Sequence, residues 1–300
     1  MLILYISLLF LSAIGSKVFS KLSSNIVVGS SIASYSMYLI FNGAVACIFF
    51  FISANFKLSL NLATAVYSLI FALVVVMSLS CVYTYKFTDI TTVTILTSTF
   101  GLVGTSVLGI ILFDEEITLN KVIRILMMLV AVILTFCDKN KRPVDNKDTA
   151  KPKRNVLLLL AVTVVVTIAT CAATIVTKYY ALDTRVADEN SFFFFTNVFL
   201  IVIASAFFAV DSIVSKDRFK AAVKMLHPRK SIALVGNTIC SNVNSLVGIL
   251  LIAIIDVSVY SPLSSAIVII AGVIASIIWR ERLGVLSYLA ALIACVVLFI

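Results

Sequence analysis

Charge is scarce in this sequence, because only 12% of its 300 residues are Asp, Glu, Lys or Arg. Soluble domains carry about 25% charged residues, since a folded surface in water has to be covered with polar groups. Histidine and tryptophan occur once each, and proline four times. The shortage of charge excludes a soluble globular domain for most of the chain.

Motifs for catalysis or metal binding are also missing. The six cysteines lie in or at the ends of apolar runs without metal-ligand spacing, which favours helix contacts over disulfides or zinc. The lone His227 lies in a basic loop. We find no His/Glu metal cluster, nucleophile elbow or phosphate-binding glycine loop. We therefore predict no enzyme activity, no cofactor and no metal.

Hydrophobic residues, by contrast, make up 62% of the chain. A spanning helix needs roughly 20 mostly apolar residues, and in lipid a helix satisfies its own backbone polar groups. The first apolar run lacks a basic leader region, so we expect a span there rather than a signal peptide. The sequence predicts an all-α membrane protein with ten transmembrane helices, at residues 2–20, 32–54, 62–84, 88–113, 119–137, 155–177, 191–210, 231–255, 258–279 and 284–300.

A polar, basic linker at residues 138–155 divides five spans from five. We predict a first five-helix repeat at residues 1–137 and a second at residues 156–300. Two matches between the halves support the repeat: Glu115 with Glu281, and Asn42 with Asn197. Since five is odd, the second repeat enters the membrane from the opposite side. Such inverted repeats are typical of secondary transporters.

The basic residues between spans are distributed unevenly. Most lie in the loops after the odd-numbered spans, and the positive-inside rule then places both termini outside the cell. The net charge of +9 is better explained by loops near anionic lipid than by nucleic acid. The expected surroundings are therefore a lipid bilayer, without a nucleic-acid partner.

Polar residues inside spans need internal partners, because lipid offers none. They lie along one face in spans four, six and eight. Two interpretations stay open: the hydroxyl groups hold helices together, or they line a polar cavity, which we favour for the asparagines of span eight. We expect the glycine rows of spans four and nine to be packing contacts, and Glu115 and Glu281 to be dipole partners of spans five and ten. The polar faces comprise Thr91, Thr94, Ser98 and Thr105 in span four, Thr163, Thr167, Thr170, Thr174 and Thr177 in span six, and Asn237, Ser241, Asn244 and Ser245 in span eight.

The segments Leu112 to Thr118 and Ile278 to Gly284 each follow one pattern: an apolar span, a Glu, a small or hydroxyl residue three positions on, and a closing span. In this pattern and in its layout the whole chain resembles the EamA-type members of the drug/metabolite transporter superfamily. There are departures. A Trp-Gly-like pair is missing from span one, and of spans four and nine only span nine has a proline, Pro262. Relatives generally keep both termini in the cytoplasm, which disagrees with the charge distribution.

The resemblance implies a secondary transporter for small organic solutes such as amino acids, metabolites or drugs. Export is the favoured direction. The resemblance implies alternating access across the cell membrane, and it leaves open whether transport is coupled to protons or another ion. It also implies a central cavity lined from spans three, four, eight and nine. The candidate solute-binding residues are Tyr83, Thr94, Ser98, Asn237, Ser241, Asn244, Tyr260 and Ser264.

Two alternatives stay open. The first is a lipid-linked flippase or nucleotide-sugar-type carrier on the same scaffold. A phosphate-bearing substrate would need a Lys or Arg side chain that faces the cavity. The candidates near spans one and six are Lys17, Lys21 and Lys178. The second alternative is a membrane subunit without a transport role.

Overall fold

The computed structural model of the protein describes residues 2–27, 32–79, 90–140, 154–214, 228–279 and 284–297. Every regular element in these residues is an α-helix, and each predicted span overlaps one of them, so the all-α class is confirmed for the described part of the chain. In chain order the helices are α1 Leu2–Val27, α2 Ile32–Ser53, α3 Leu62–Leu79, α4 Ile90–Phe113, α5 Leu119–Asn140, α6 Arg154–Leu182, α7 Glu189–Val214, α8 Pro228–Ile254, α9 Val257–Ile278 and α10 Val285–Val297.

Among the described residues, six helices have stretches long and apolar enough to cross a membrane. The described parts of α3, α4 and α10 contain shorter apolar stretches of 10–17 residues. Large apolar side chains stand exposed along the helices, for example Ile3 at 81% and Ile232 at 72%. Water disfavours such surfaces whereas lipid accepts them, which indicates a membrane-embedded protein. The six stretches are Leu2–Phe19, Tyr35–Ser53, Val164–Leu182, Glu189–Asp211, Ser231–Ile254 and Val257–Ala275.

The chain folds into two compact units. The first unit comprises Met1–Val76 and Val176–Ala253, and the second comprises Met77–Ile175 and Ile254–Ile300. Each unit therefore takes helices from both halves of the sequence. Most of the linker at 138–155 lies outside the described residues, so the division into repeats at that segment stays a prediction.

In the first unit, α2 packs along α7. Gly43 permits this approach, because a Cβ atom there would stand 2.7 Å from Ile201 Cγ1. The helices meet in an aromatic cluster in which Phe50 stacks on Phe193, with ring centroids 5.1 Å apart. Tyr180, at the end of α6, stacks on Phe192 at 4.2 Å. Large flat side chains thus fill the space that small residues leave between these helices.

In the second unit, α4 packs against α9 and α5 packs against α10. Gly109 marks the first contact, since its Cβ would lie 3.2 Å from Val257 Cβ. The prediction that the glycines of span four are packing positions is confirmed. For Gly272 in span nine the same prediction stays a prediction, because a Cβ there would meet no described atom within 4 Å.

Three helices begin at a polar N-cap residue. Asn61, Thr118 and Asp188 each accept a hydrogen bond from the backbone N–H three residues later, at 2.8, 3.4 and 3.2 Å. Such bonds satisfy one of the donors that the first helical turn leaves unpaired. Asp256 precedes α9 but makes no side-chain capping bond, so the start of α9 is satisfied by another residue.

Candidate solute cavity

A cavity of about 140 Å³ lies within the second unit. Helices α4, α6 and α9 all contribute to its wall. An apolar cavity of about 150 Å³ holds one benzene-sized ligand, so this space suits a small solute. Seven of the ten described residues in its wall carry a hydroxyl group, and none is charged: Gly101, Leu102, Thr105, Thr170, Thr174, Tyr260, Ser261, Ser264, Ser265 and Val268.

Two glycines let α4 approach α6 beside the cavity. A Cβ atom on Gly101 would stand 3.2 Å from Thr170 Cγ2, and one on Gly104 would stand 2.5 Å from Cys171 Sγ. Real Cβ atoms essentially never approach a heavy atom as closely as the second of these distances. The absence of these two side chains therefore brings the threonine face of α6 to the cavity.

A hydroxyl pair joins α4 to α9. Thr105 Oγ1 and Ser261 Oγ share a hydrogen bond, and both side chains are buried. Thr105 also donates to the carbonyl of Gly101 at 2.7 Å, one turn earlier on its own helix. Pro262 follows Ser261 inside α9 and has no N–H to donate to the carbonyl four residues before it. The Thr105–Ser261 pair therefore connects α4 to α9 beside the cavity.

The threonine face of α6 divides between the units. Thr170 donates to the Val166 carbonyl at 2.8 Å, Thr174 donates to the Thr170 carbonyl at 3.1 Å, and both line the cavity. Thr177 is buried in the first unit. The hydroxyl of Thr167 is buried without a hydrogen-bond partner among the described residues.

Two of the eight predicted solute-binding residues, Tyr260 and Ser264, meet in this cavity. Tyr83 lies outside the described residues, as do the side chains of Thr94 and Ser98. For these three the assignment stays a prediction. The remaining three, Asn237, Ser241 and Asn244, lie on α8 in the first unit.

The asparagines of α8 bond to neighbouring helices. Asn237 Nδ2 donates to the Tyr38 hydroxyl at 3.4 Å, and its Oδ1 accepts from Ser16 at 3.3 Å. Asn244 Nδ2 donates to the Leu9 carbonyl at 3.4 Å. These contacts join α8 to α1 and α2, which favours the helix-packing interpretation for both asparagines. Thr238 adds a further bond to Asn42 of α2.

Sequence reasoning did not assign Thr105, Thr170, Thr174, Ser261 and Ser265 to the cavity. Part of the signal was visible, because the helical spacing of the α6 threonines predicts a shared face. The hydroxyl residues of α9 recur at 260, 261, 264 and 265, which is the spacing of one helix face. Which helices face one another is set by tertiary packing, and a spacing pattern within one helix does not contain that information.

A cluster of three charged side chains lies at the start of α9. The Glu115 carboxylate accepts from the backbone N–H groups of Val257 at 2.7 Å and Ser258 at 2.9 Å. Lys121 Nζ lies 3.8 Å from Glu115 and 3.0 Å from Asp256. The side chains of Lys121 and Glu115 are only 7% and 5% exposed, whereas Asp256 is 55% exposed. We call these three residues the α9 clasp.

Glu115 therefore acts at a helix start, but not at the one the sequence suggested. We expected it to oppose the dipole of α5, whereas it caps α9 in place of Asp256. Asp114, just before it, adopts φ 49° and ends α4. Aspartate tolerates this left-handed conformation better than most residues. The resulting turn directs Glu115 towards α9. The matching residue Glu281 lies outside the described residues.

The short loop between α6 and α7 is fixed by polar contacts. Arg185 donates to both oxygens of Asp183 at 2.9 and 2.8 Å. These bonds hold the pKa of the Asp183 carboxyl at about 2. Asn61 donates to the Arg185 carbonyl at 2.7 Å, and the Ala187 N–H donates to Thr64 at 2.9 Å. The loop is thereby tied to the start of α3 within the first unit.

No protein-family model and no curated protein matches this sequence. A solved structure described only as "Crystal structure of protein" is similar, with a TM-score of 0.63 and 14% sequence identity. The match covers 98% of this chain and 93% of the other. At this identity the likeness concerns the fold alone.

Proposed function

We propose that this protein is a secondary transporter that moves small organic solutes across the cell membrane by alternating access. The observation that carries the proposal is the hydroxyl-lined cavity of α4, α6 and α9, in a chain that is 62% hydrophobic. Polar groups inside membrane helices are costly without partners and are characteristic of solute pathways. A cavity of this kind gives a polar solute hydrogen bonds that lipid does not offer.

The pairing of the helices supports an inverted-repeat scaffold with ten spans. Among the described residues, the three most extensive helix pairs are α2 with α7, α4 with α9, and α5 with α10. In each pair the second helix follows the first by five places, as expected if helix n and helix n+5 are equivalent members of two repeats. Secondary transporters with such repeats bind their substrates near the membrane midplane.

We assign the chain, as part of the proposal, to the EamA-type drug/metabolite transporters in the cell membrane. The support is the sequence pattern around Glu115 and the helix pairing. We propose a multi-pass protein. Its basic loops favour both termini outside the cell, whereas the resemblance favours both in the cytoplasm, and the orientation stays open.

The cavity lining favours uncharged or zwitterionic solutes over phosphate-bearing ones. A phosphate group is held in proteins by Arg, Lys or several backbone N–H groups, and the described lining has no charged side chain. Lys178, one of the cations considered for this purpose, is buried in the first unit and donates to the Ile252 carbonyl at 2.8 Å. There it opposes the negative end of the α8 dipole.

A thermal-shift screen of the purified chain tests the proposal. A ligand that binds the native state raises its melting temperature, by an amount that grows with ligand concentration over Kd. We expect a shift with amino acids or nucleosides rather than with cationic drugs, and flux of the stabilising class in proteoliposomes. A screen without any shift, together with no flux above that of protein-free liposomes, would overturn the proposal.

A further inference from the structure

Four hydroxyl groups of the cavity have hydrogen-bond acceptors for their own hydrogens within the protein. A carbonyl oxygen only accepts, so a hydroxyl bonded to one must direct its single hydrogen there. Thr170 donates to Val166 and Thr174 donates to Thr170, in each case to the carbonyl oxygen. Thr105 likewise donates to the carbonyl oxygen of Gly101. Each of these three hydroxyls therefore has an acceptor for its hydrogen within the protein.

Ser261 completes the set. Its hydroxyl lies against Thr105 Oγ1 and 3.4 Å from the carbonyl oxygen of Leu102. Either hydroxyl of this pair can donate to the other. Thr105 also has the carbonyl oxygens of Gly101 and Leu102 as acceptors, and Ser261 has that of Leu102. Both hydrogens therefore have acceptors within the protein. The Ser261 oxygen, like the other three, keeps lone-pair capacity.

Four of the seven described hydroxyls in the lining can therefore serve a solute as hydrogen-bond acceptors. Each hydroxyl has two lone pairs and one hydrogen, and the bonds to the helix backbone use only the hydrogen. A solute with many N–H or O–H groups matches such a wall. A solute that only accepts hydrogen bonds leaves the lone pairs unpaired, and a buried unpaired polar group is costly.

The charge of the solute is restricted as well. No charged residue is among the described residues that line the cavity, so a buried cation would have hydroxyl dipoles but no counter-charge. Moving an unpaired charge out of water is far more costly than moving a neutral polar group. The cavity volume of about 140 Å³ restricts the part of the solute inside it to a few heavy atoms.

We propose that the cavity selects small neutral solutes, or neutral solute groups, that are rich in hydrogen-bond donors, such as primary amides, urea-type compounds and polyols. This inference rests on the proposed solute-binding function and specifies its substrate class. The carrying observation is that the hydroxyls of Thr105, Thr170, Thr174 and Ser261 have acceptors within the protein, around a cavity whose described lining has no charged residue.

Four planar molecules of four heavy atoms each separate donor count from size. Urea has four N–H donors, acetamide has two, and acetone has none, while guanidinium is a donor-rich cation of the same shape. Ligand-observed NMR titration of the purified full-length protein at millimolar concentrations gives the four Kd values. We expect urea to bind about tenfold more tightly than acetone or better, with acetamide between them and guanidinium weaker than urea.

Three variants test whether the small ligands bind in the cavity. Thr170→Val keeps the side-chain shape and removes one acceptor, so the preference for urea over acetone should fall several-fold. Thr170→Leu partly fills the cavity and should weaken urea and acetamide alike. Thr196→Val, at a buried hydroxyl of α7 in the first unit, is the matched control and should change neither value.

The outcomes separate the inference from the proposed function. The inference is wrong if acetone binds within threefold of urea, or if guanidinium binds more tightly than urea. If Thr170→Leu weakens both of the ligands compared, the proposed solute cavity is still supported. The inference is also wrong if none of the four molecules binds but a solute from the thermal-shift screen does. If no solute binds in either experiment, or binding is unaffected by Thr170→Leu, the cavity does not bind solutes and both proposals fall.

Discussion

The two units use similar polar side chains in different ways. In the first unit, Asn237 and Asn244 reach across to α1 and α2 and bond there to other helices. In the second unit, Thr170 and Thr174 donate to the carbonyls of their own helix and line a cavity. Amides thus join helices in one unit, whereas hydroxyls with self-satisfied donors line a wall in the other.

The difference has a physical basis. A carboxamide carries two donors and an oxygen acceptor on a short stem, so inside a membrane helix it needs a neighbouring helix to satisfy them. A threonine hydroxyl satisfies its single hydrogen at the carbonyl four residues before it, and its oxygen stays open towards a cavity. This difference explains why Asn237 and Asn244 join helices, whereas Thr170 and Thr174 are satisfied within α6 and line the cavity.

Breaking the α9 clasp should have the largest effect. Glu115→Ala leaves two N–H groups of α9 unpaired and Lys121 with only the exposed Asp256 as its described carboxylate partner. Removing one partner of a buried ion pair costs about 3–5 kcal/mol. We expect a clear fall in the melting temperature of the purified protein.

Glu116→Ala is the matched control for the clasp, since Glu116 is the exposed neighbour of Glu115. A surface substitution of this kind changes stability by about 0.5 kcal/mol or less. Equal melting temperatures for the Glu115 and Glu116 variants would show that the clasp contributes nothing to the second unit.

Closing the α4–α6 contact should have the next largest effect. In Gly104→Ala the new Cβ would lie 2.5 Å from Cys171 Sγ, and overpacking of this kind costs about 1–3 kcal/mol. Gly272→Ala meets open space in the described structure and should be neutral or stabilising by up to about 1 kcal/mol. Thermal unfolding compares the two; a Gly104 variant as stable as the Gly272 variant contradicts the contact.

The fold was largely predictable from the sequence, since hydrophobic runs that end at polar residues mark helices without knowledge of their neighbours. Among the residues whose side chains are described, six helices meet the length and hydropathy requirements for a span, so the prediction of ten spans goes further. In α5, Lys121 and Arg124 reduce the apolar character of the first turns.

The candidate site was less predictable. Tyr260 and Ser264 lie on a recognisable polar face, but their meeting with Thr170 depends on the missing side chains of Gly101 and Gly104. Glu115 was expected to act on the next helix in sequence, whereas the turn at Asp114 directs it to α9. Both facts are set by long-range packing, which the residue pattern of a single helix does not determine.

Removing an interhelical amide should have a smaller effect. Asn237→Ala removes the bonds to Ser16 and Tyr38, and interhelical hydrogen bonds in membranes contribute about 0.6–1.7 kcal/mol. Thr170→Val removes only a bond within its own helix and should lower the melting temperature by less. If Thr170→Val proves the more destabilising of the two, the distinction between the units does not hold.

The smallest expected effect is a pH effect in the loop between α6 and α7. Because Arg185 lowers the pKa of Asp183 from 3.8 to about 2, the carboxylate contributes stability above the unfolded pKa and loses it as pH falls through the folded one. In Arg185→Gln that loss should begin nearer pH 4. Melting temperatures between pH 6 and pH 2 should fall earlier for the variant, and coinciding profiles would contradict this assignment.

The central claim is that the second unit binds a solute while the amides of the first unit hold helices. The direct test is the solute-induced rise in melting temperature of Ser264→Leu and Asn237→Ala, measured with a solute that stabilises the wild type. We predict that Ser264→Leu, which fills cavity space, loses the rise, while Asn237→Ala melts at a lower temperature and keeps it. A rise that survives in Ser264→Leu and disappears in folded Asn237→Ala would contradict the account.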